Sequence, residues 1–260
     1  MPPLPSLTTL ALWLAPLLGA GRPAVSFVPA PDPGPTAACP SDMRLVTGNH
    51  YDDVEHLCLE WRQDMKRCWS YEPELTITHG EATPIRACMD VYEAPNQAGA
   101  RPLVMKSFPE AVKWCGERGK RVCSEAEWET ACESGDERPY LYGWKVDKNV
   151  CNSDKSWRQF NEGLLHAGGD TARAEVERLW QGAGSGTYEA CRTPAGIHDL
   201  LGNVEEWVTS SRPRKFKAAL MGGFWAKPWT GCRGTNDAHE PENFRFYEVG
   251  FRCCKDPASP

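Results

Sequence analysis

Cysteine gives this sequence most of its chemical capacity, because a thiolate can act as a nucleophile, a soft metal ligand or one half of a disulfide. The chain has 260 residues and 12 cysteines, an even number that is typical of complete pairing in an oxidising compartment. The six histidines are scattered, and no H-E-x-x-H, G-x-S-x-G, P-loop or dinucleotide motif occurs. Hydrolase and nucleotide-dependent chemistries are therefore not indicated.

The composition predicts a folded domain of ordinary size. Charged residues make up 25% of the chain, which is a globular value, and the length suits one large domain or at most two. The formal net charge is −6. Because phosphate binding needs clustered Lys and Arg, we expect no nucleic-acid partner.

The N-terminal segment predicts export. Residues 7–20, LTTLALWLAPLLGA, form the one long apolar run, but it is too short to span a bilayer and Pro16 interrupts it. We interpret residues 1–21 as a signal peptide cleaved after Gly19 or Ala20, and residues 22–40 as a Pro/Ala-rich tether. A periplasmic, cell-surface or secreted protein with no further transmembrane span is expected, whether anchored or released.

Residues 41–84 are expected to form an N-terminal extension with one amphipathic helix. The spacing of four and three that predicts this helix is found at Val54, Cys58, Trp61, Met65 and Cys68. In such a helix Cys58 and Cys68 would lie about 15 Å apart and could not bond to each other. Each would need a partner in another segment, with Cys39 as one candidate.

Two further helices are predicted by capping boxes, at Ser107–Glu110 and at Ser124–Glu127. In them, Cys115 and Cys132 share a face with apolar residues. Strands are expected at Ala87–Tyr92, Ala218–Trp225 and Val249–Cys253, where the adjacent Cys253 and Cys254 would face opposite sides. Residues 139–196 lack regular periodicity and predict a long irregular region.

Six motifs, in this order along the chain, together resemble one protein family: CMDVYEAPN (88–96), GKRVCSEAEWETAC (119–132), LYGW (141–144), GIHDLLGNVEEW (196–207), GGFW (222–225) and GFRC (250–253). They are similar to the family patterns I-D-x-Y-E-V-T-N, G-K-R-L-P-T-E-A-E-W-E, P-W-G, G-L-Y-D-M-x-G-N-V-W-E-W, R-G-G-S-W and the closing strand. On these motifs residues 85–255 are identified as a domain of the formylglycine-generating enzyme, or sulfatase-modifying factor, family. The variants CMDxYE, KRxCSE and GFRCC are similar to those of cysteine-rich exported bacterial members.

The resemblance implies an α+β, C-type-lectin-like fold with little regular secondary structure. By position in the family, Cys115 would pair with Cys253 and Cys132 with Cys232. For Cys88, Cys123 and Cys254 no pairing follows from the resemblance, and a bond from Cys254 to either Cys88 or Cys123 stays open. A bond between Cys151 and Cys191 would hold the irregular region.

The resemblance also implies structural calcium. Its first site would take oxygen ligands from Asp199, Gly202, Val204 and Glu206, a normal set for a hard cation. A second site would use Asn152 and the carbonyl of Ser153. The alternative is that Asp199 and Glu206 are turn and cap residues that bind no metal.

Active family members convert a cysteine within a C-x-P-x-R motif to formylglycine, using oxygen and two cysteines that bind copper. Here Lys227 stands in place of the first catalytic cysteine, and Glu205 in place of a motif tryptophan. The segment holds one cysteine, Cys232, which is either the structural partner of Cys132 or the second catalytic cysteine. One thiolate cannot supply the two-sulfur coordination of monovalent copper, so copper is not expected.

The leading hypothesis is therefore a non-catalytic or repurposed binding domain for a protein, peptide or glycan. Its ligand surface is expected around Trp225, Trp229 and Arg233. One alternative is an oxidase of protein cysteines that uses Cys232. Another is calcium-dependent binding in the manner of lectins, suggested by Glu93–Asn96 (EAPN), one residue away from a lectin E-P-N motif.

Overall fold

The computed structural model describes residues 34, 36–64, 66–227 and 231–258. The predicted signal peptide and residues 22–33 of the tether lie outside these ranges. Within them, no helix combines the length and the apolar character that a membrane crossing requires.

Two four-stranded sheets and one hairpin make up the β-structure. The first sheet has the order β1-β4-β10-β5, and the second has the order β8-β7-β6-β9 with β6 and β9 parallel. The strands run β1 Met43–His50, β2 Asp53–Arg62, β3 Arg67–His79, β4 Thr83–Asp90, β5 Arg121–Val122, β6 Glu205–Thr209, β7 Ala218–Met221, β8 Thr235–Asn236, β9 Val249–Phe251 and β10 Cys253–Lys255. Because β1 pairs with β4 along its whole length, residues 41–84 contribute to the first sheet.

Four short helices complete the described elements: α1 Phe108–Gly116, α2 Glu125–Glu133, α3 Glu162–His166 and α4 Gly169–Leu179. The capping boxes correctly predict where α1 and α2 begin. In α2 the Ser124 hydroxyl accepts from the Glu127 N–H, while the Glu127 carboxylate accepts from the Ser124 N–H. Few helices, short strands and long loops confirm the predicted α+β class.

The predicted helix at residues 54–68 is wrong, because this segment forms the β2–β3 hairpin. Val54, His56 and Cys58 face inward, whereas Leu57 and Leu59 are exposed, which is the alternation of a strand. Because apolar residues lie on both faces of this strand, the alternation with a period of two is obscured. The apolar residues also recur at spacings of three and four, which is the pattern of a helix.

Cys58 and Cys68, which the helix would have kept apart, bond to each other across the hairpin with Cα atoms 5.7 Å apart. Cys39 bonds instead to Cys88. The prediction that residues 139–196 lack regular structure is also wrong, since α3 and α4 lie there.

All 12 cysteines are paired, and none is free. The two pairs implied by the family positions, Cys115–Cys253 and Cys132–Cys232, are both present. The remaining pairs are Cys123–Cys254 and Cys151–Cys191. Most of these cysteines are buried in the core, in the clusters that contain the fully buried Trp128 and Trp207.

Candidate functional site

The segment after Gly222-Gly223 carries no thiol that could act in catalysis. Cys232 is bonded to Cys132 and is completely buried, which decides between its two expected roles in favour of the structural one. The resemblance puts Lys227 at the position of the first catalytic cysteine. A thiolate for copper is thus missing at both positions.

Lys227 does not point freely into solvent, because its Nζ atom lies 2.6 Å from Oε1 of Glu205. Glu205 is the first residue of β6 and its side chain is only 5% exposed. Two of the positions at which this chain differs from the family patterns are therefore bonded to each other. The resemblance implies a cysteine and a tryptophan where this ion pair lies.

This ion pair forms one wall of a cavity of about 570 Å³. The aromatic walls are Phe160, Phe224, Phe244 and Phe246, which come from loops on three sides. Polar side chains at the cavity are supplied by Glu162, Glu205, Lys227, Asn236, His239 and Glu248. A mainly apolar pocket with a few converging polar groups is the usual form of a ligand site.

Glu248 is the most perturbed group of this cavity. It is buried, and its Oε2 atom has no hydrogen-bond partner in the described part of the chain. Burial, together with the nearby charge of Glu205, raises the pKa of Glu248 to about 8. A carboxyl group of this kind is energetically unfavourable in the empty protein and is a recognised sign of a functional site.

No sequence pattern points to Glu248, Asn236, His239 or the phenylalanines of this cavity. Glu248 lies two residues before the GFRC motif. Its position beside this predicted strand is the one sequence signal that could have indicated it. The cavity is assembled by residues far apart in the chain, so no local pattern marks it.

The described residues of the predicted ligand surface do not lie together on one surface. Trp225 is 1% exposed and packs edge-on against Trp180 in the core, so the expectation that it stacks on a ligand is wrong. Trp229 lies outside the described residues. The Arg233 guanidinium bonds to Glu133 and to the carbonyl of Tyr51, in a separate pocket beneath the hairpin.

The residues expected at the first calcium site surround a buried cluster of charge. Glu93, Asp199 and Glu206 are all at most 2% exposed, and they share the buried guanidinium of Arg252. Burial raises the pKa of Asp199 to about 7, although the Gly186 N–H donates to its Oδ2 atom at 2.6 Å. Three carboxylates around one guanidinium leave an excess of negative charge that a cation would neutralise.

The Glu206 carboxylate is less available than the family pattern implies. Its Oε1 atom accepts from Arg252 Nη2 at 2.6 Å, and its Oε2 atom accepts from Arg252 Nε and from Trp128 Nε1. The charge of the first site therefore fits calcium, while one expected ligand is already held by protein donors.

The second set of expected ligands fits a hard cation more directly. Asn152 is 1% exposed, and its Oδ1 atom has no hydrogen-bond partner within the described ranges. The backbone carbonyl oxygen of Asn152 lies so close to Gly202 that a Cβ atom on this glycine would be 2.5 Å from it. Gly202 also has φ +78°, which favours glycine. Asn152 thus brings an unsatisfied oxygen to the edge of the 196–207 motif, and Ser153 follows it in the chain.

The EAPN segment does not form an exposed lectin-type site. Glu93 is completely buried, and the side chain of Asn203 donates to it at 2.8 Å. Asn96 accepts from the Tyr92 N–H and donates to Asp42 and Asp90. These residues support the first sheet.

Comparison with known proteins agrees with this fold. A model of the sulfatase-modifying factor enzyme 1-like domain matches residues 42–257. The formylglycine-generating enzyme of Mycobacterium tuberculosis is 28% identical over 226 residues, covering 76% of this chain and 69% of that protein. A bovine protein named inactive C-alpha-formylglycine-generating enzyme 2 is 27% identical over 172 residues, covering 61% of this chain and 52% of that protein.

Among solved structures, the crystal structure of CarF superposes with a TM-score of 0.54 at 16% identity. It covers 85% of this chain and 99% of the CarF chain, and at this identity it supports the fold alone. The six sequence motifs, the disulfides and the match over residues 42–257 lead to one conclusion: this chain belongs to the formylglycine-generating enzyme, or sulfatase-modifying factor, family.

Proposed function

We propose that this chain is an exported, disulfide- and calcium-stabilised domain of the family that binds a ligand and does not generate formylglycine. One observation carries the proposal: Lys227, paired with Glu205, replaces the first catalytic cysteine, and Cys232 is locked in a disulfide. The name of the bovine relative supports it, because it indicates that the family includes inactive members.

Export is supported by two features of the sequence and the fold. The apolar run at residues 7–20 has the length of a signal-peptide core. All 12 cysteines are paired, a pattern that persists in an oxidising compartment. A periplasmic, cell-surface or secreted location follows from this proposal.

Calcium is proposed as a structural ion. The unsatisfied Oδ1 atom of Asn152 and the excess of buried carboxylate charge around Asp199 support it. The ion would supply positive charge that holds the 152–153 loop against the 199–206 loop, as hard cations do with carboxylate and carbonyl oxygens.

The ligand is proposed to bind in the cavity beside Lys227, in place of the surface formed by Trp225 and Arg233. The cavity is the described pocket at the position of the lost catalytic residue, and it combines aromatic walls with the buried, unsatisfied Glu248. Its partner is a protein, a peptide, a glycan or a small molecule that carries groups complementary to these walls.

The absence of formylglycine chemistry is tested by incubating the purified, oxidised protein with monovalent copper, oxygen and a C-x-P-x-R peptide. Mass spectrometry of the peptide should show no aldehyde, whereas the Mycobacterium tuberculosis enzyme in parallel should produce it. The variant Lys227→Cys should stay inactive, because Cys232 remains bonded to Cys132. Turnover by the unmodified protein that is lost in Cys232→Ser would overturn the proposal and favour the oxidase alternative.

A further inference from the structure

The cavity beside Lys227 has walls that suit a flat or positively charged group. Phe244 and Phe246 are nearly parallel with ring centroids 5.7 Å apart, and Phe160 meets Phe246 edge-on at 4.8 Å. His239 stacks on Phe244 at 3.7 Å. The exposed faces of such rings carry partial negative charge and attract cations.

The charges of the cavity have the same sign as the ring faces. Three carboxyl groups, those of Glu162, Glu205 and Glu248, line it together with one amine, that of Lys227. Lys227 is occupied by Glu205, which also accepts from the side chain of Asn236 at 3.4 Å. Among the described lining residues, an anionic ligand would therefore meet carboxyl groups and an amine that is already paired.

Glu248 provides an independent indication of a missing donor. The residue is 9% exposed, it lines the cavity, and its Oε2 atom has no partner among the described residues. A buried acceptor left without a donor costs free energy that a ligand N–H can recover. A neutral apolar ligand would leave this cost in place.

We propose that the cavity binds a cationic nitrogen group, an ammonium or a guanidinium, with Glu248 accepting its N–H and the phenylalanine rings covering its faces. The inference rests on the proposed binding function and assigns the class of ligand to it. The group is carried either by a small molecule or by a lysine or arginine side chain of a peptide, since both present the same donors.

Benzamidine is a suitable probe, because benzamide and benzoate are neutral and anionic analogues of the same shape. Isothermal titration of the full, oxidised chain should show binding of benzamidine and at least about tenfold weaker binding of both analogues, the usual effect of losing a charge-assisted hydrogen bond. Parallel titrations with agmatine and with an acetylated, amidated Ala-Arg-Ala peptide distinguish a small-molecule ligand from a peptide one.

The role of Glu248 is tested with Glu248→Gln, which keeps the shape and removes the charge. Affinity for benzamidine should fall about tenfold. Glu242→Gln, a change at an exposed glutamate six residues away, should leave it unchanged. If Glu248→Gln fails to fold, the comparison of benzamidine, benzamide and benzoate on the unmodified chain still tests whether the cavity prefers a cationic group.

Equal binding of benzamidine and benzamide, no binding of benzamidine, or unchanged affinity in a folded Glu248→Gln variant would each overturn the inference. None of these results bears on formylglycine generation, which the aldehyde assay measures separately. Failure of the ligand class and failure of the non-catalytic proposal are therefore distinguishable.

Discussion

The ion pair between Lys227 and Glu205 allows a quantitative test of how this chain departed from its family. We consider Lys227→Met, which removes the amine and keeps much of the side-chain volume. Glu205, 5% exposed, would keep the 3.4 Å contact with Asn236 as a hydrogen bond and lose its counter-charge. Its carboxylate would then have to stay charged without a partner or take up a proton.

Removing one partner of a buried ion pair costs about 3–5 kcal/mol. Since the Lys227 side chain is 30% exposed and water screens the pair in part, we expect Lys227→Met to lower the free energy of unfolding by about 2–3 kcal/mol. The double variant Lys227→Met/Glu205→Gln removes both charges. It should be more stable than Lys227→Met alone, with a coupling energy of about 1–2 kcal/mol.

The assay is denaturant unfolding of the oxidised protein, followed by circular dichroism, for the unmodified chain, both single variants and the double variant. Arg173→Met in α4 is the matched control, because Arg173 pairs with Asp170 on the surface and both side chains are more than 70% exposed. It should change the unfolding free energy by less than about 0.5 kcal/mol. Additive effects of the two single variants would refute the reasoning.

Three further predictions concern pH, the hairpin and calcium. Burial raises the pKa of Glu125, but hydrogen bonding from Arg214 outweighs it and holds the pKa at about 2, below the usual 4.5. The ionised Glu125 stabilises the fold fully above pH 4.5, and this stabilisation is lost as the pH falls from 4.5 towards 2. The free energy of unfolding of Glu125→Gln should therefore depend less on pH in this range than that of the unmodified chain. Replacing Cys58 and Cys68 by serine should destabilise the hairpin by about 2–3 kcal/mol and increase its amide exchange, while exchange in β6 should stay slow. A calcium chelator should lower the melting temperature of the unmodified chain. The variant Asn152→Leu should melt at the same temperature with calcium and with chelator. An equal melting temperature of the unmodified chain in both conditions would contradict the calcium proposal.

The sequence predicts those parts of the fold that depend on neighbouring residues. The helix starts at Ser107 and Ser124 follow from hydrogen bonds that close within three residues. The hairpin could not be predicted in the same way, because Leu57 and Leu59 carry apolar side chains on the exposed face and conceal the alternation. In α4, the sparse apolar positions gave too weak a helical pattern.

Less of the candidate site than of the fold could be predicted from the sequence. The replacement of the catalytic cysteine by Lys227 is evident from the sequence, but its bond to Glu205 joins residues 22 positions apart and depends on the packing of β6 against the following loops. Trp225 was expected at the surface because its motif borders the catalytic segment. It is buried because the core around Trp180 and Tyr247 covers it.

The pairing of the two substituted positions also bears on how reversible the change is. Restoring a cysteine at position 227 alone would leave Glu205 buried without a counter-charge, and restoring a tryptophan at position 205 alone would leave Lys227 unpaired beside an apolar wall. Either single reversion is expected to be destabilising, so the two positions constrain each other.

Strand β10 has a consequence for the order in which this protein can reach its final form. It lies between β4 and β5 in the first sheet, and its adjacent cysteines bond to residues 138 and 131 positions earlier. A ribosome makes β10 after every other described strand and helix, so the centre of the sheet stays open until synthesis of the domain is nearly complete. Of the earlier cysteines, Cys115 and Cys123 must wait, reduced or mispaired, for this segment to arrive. Formation of these two disulfides should therefore depend on an oxidant and isomerase that act on the whole chain, and loss of the last few residues of the domain should leave two unpaired thiols in its core.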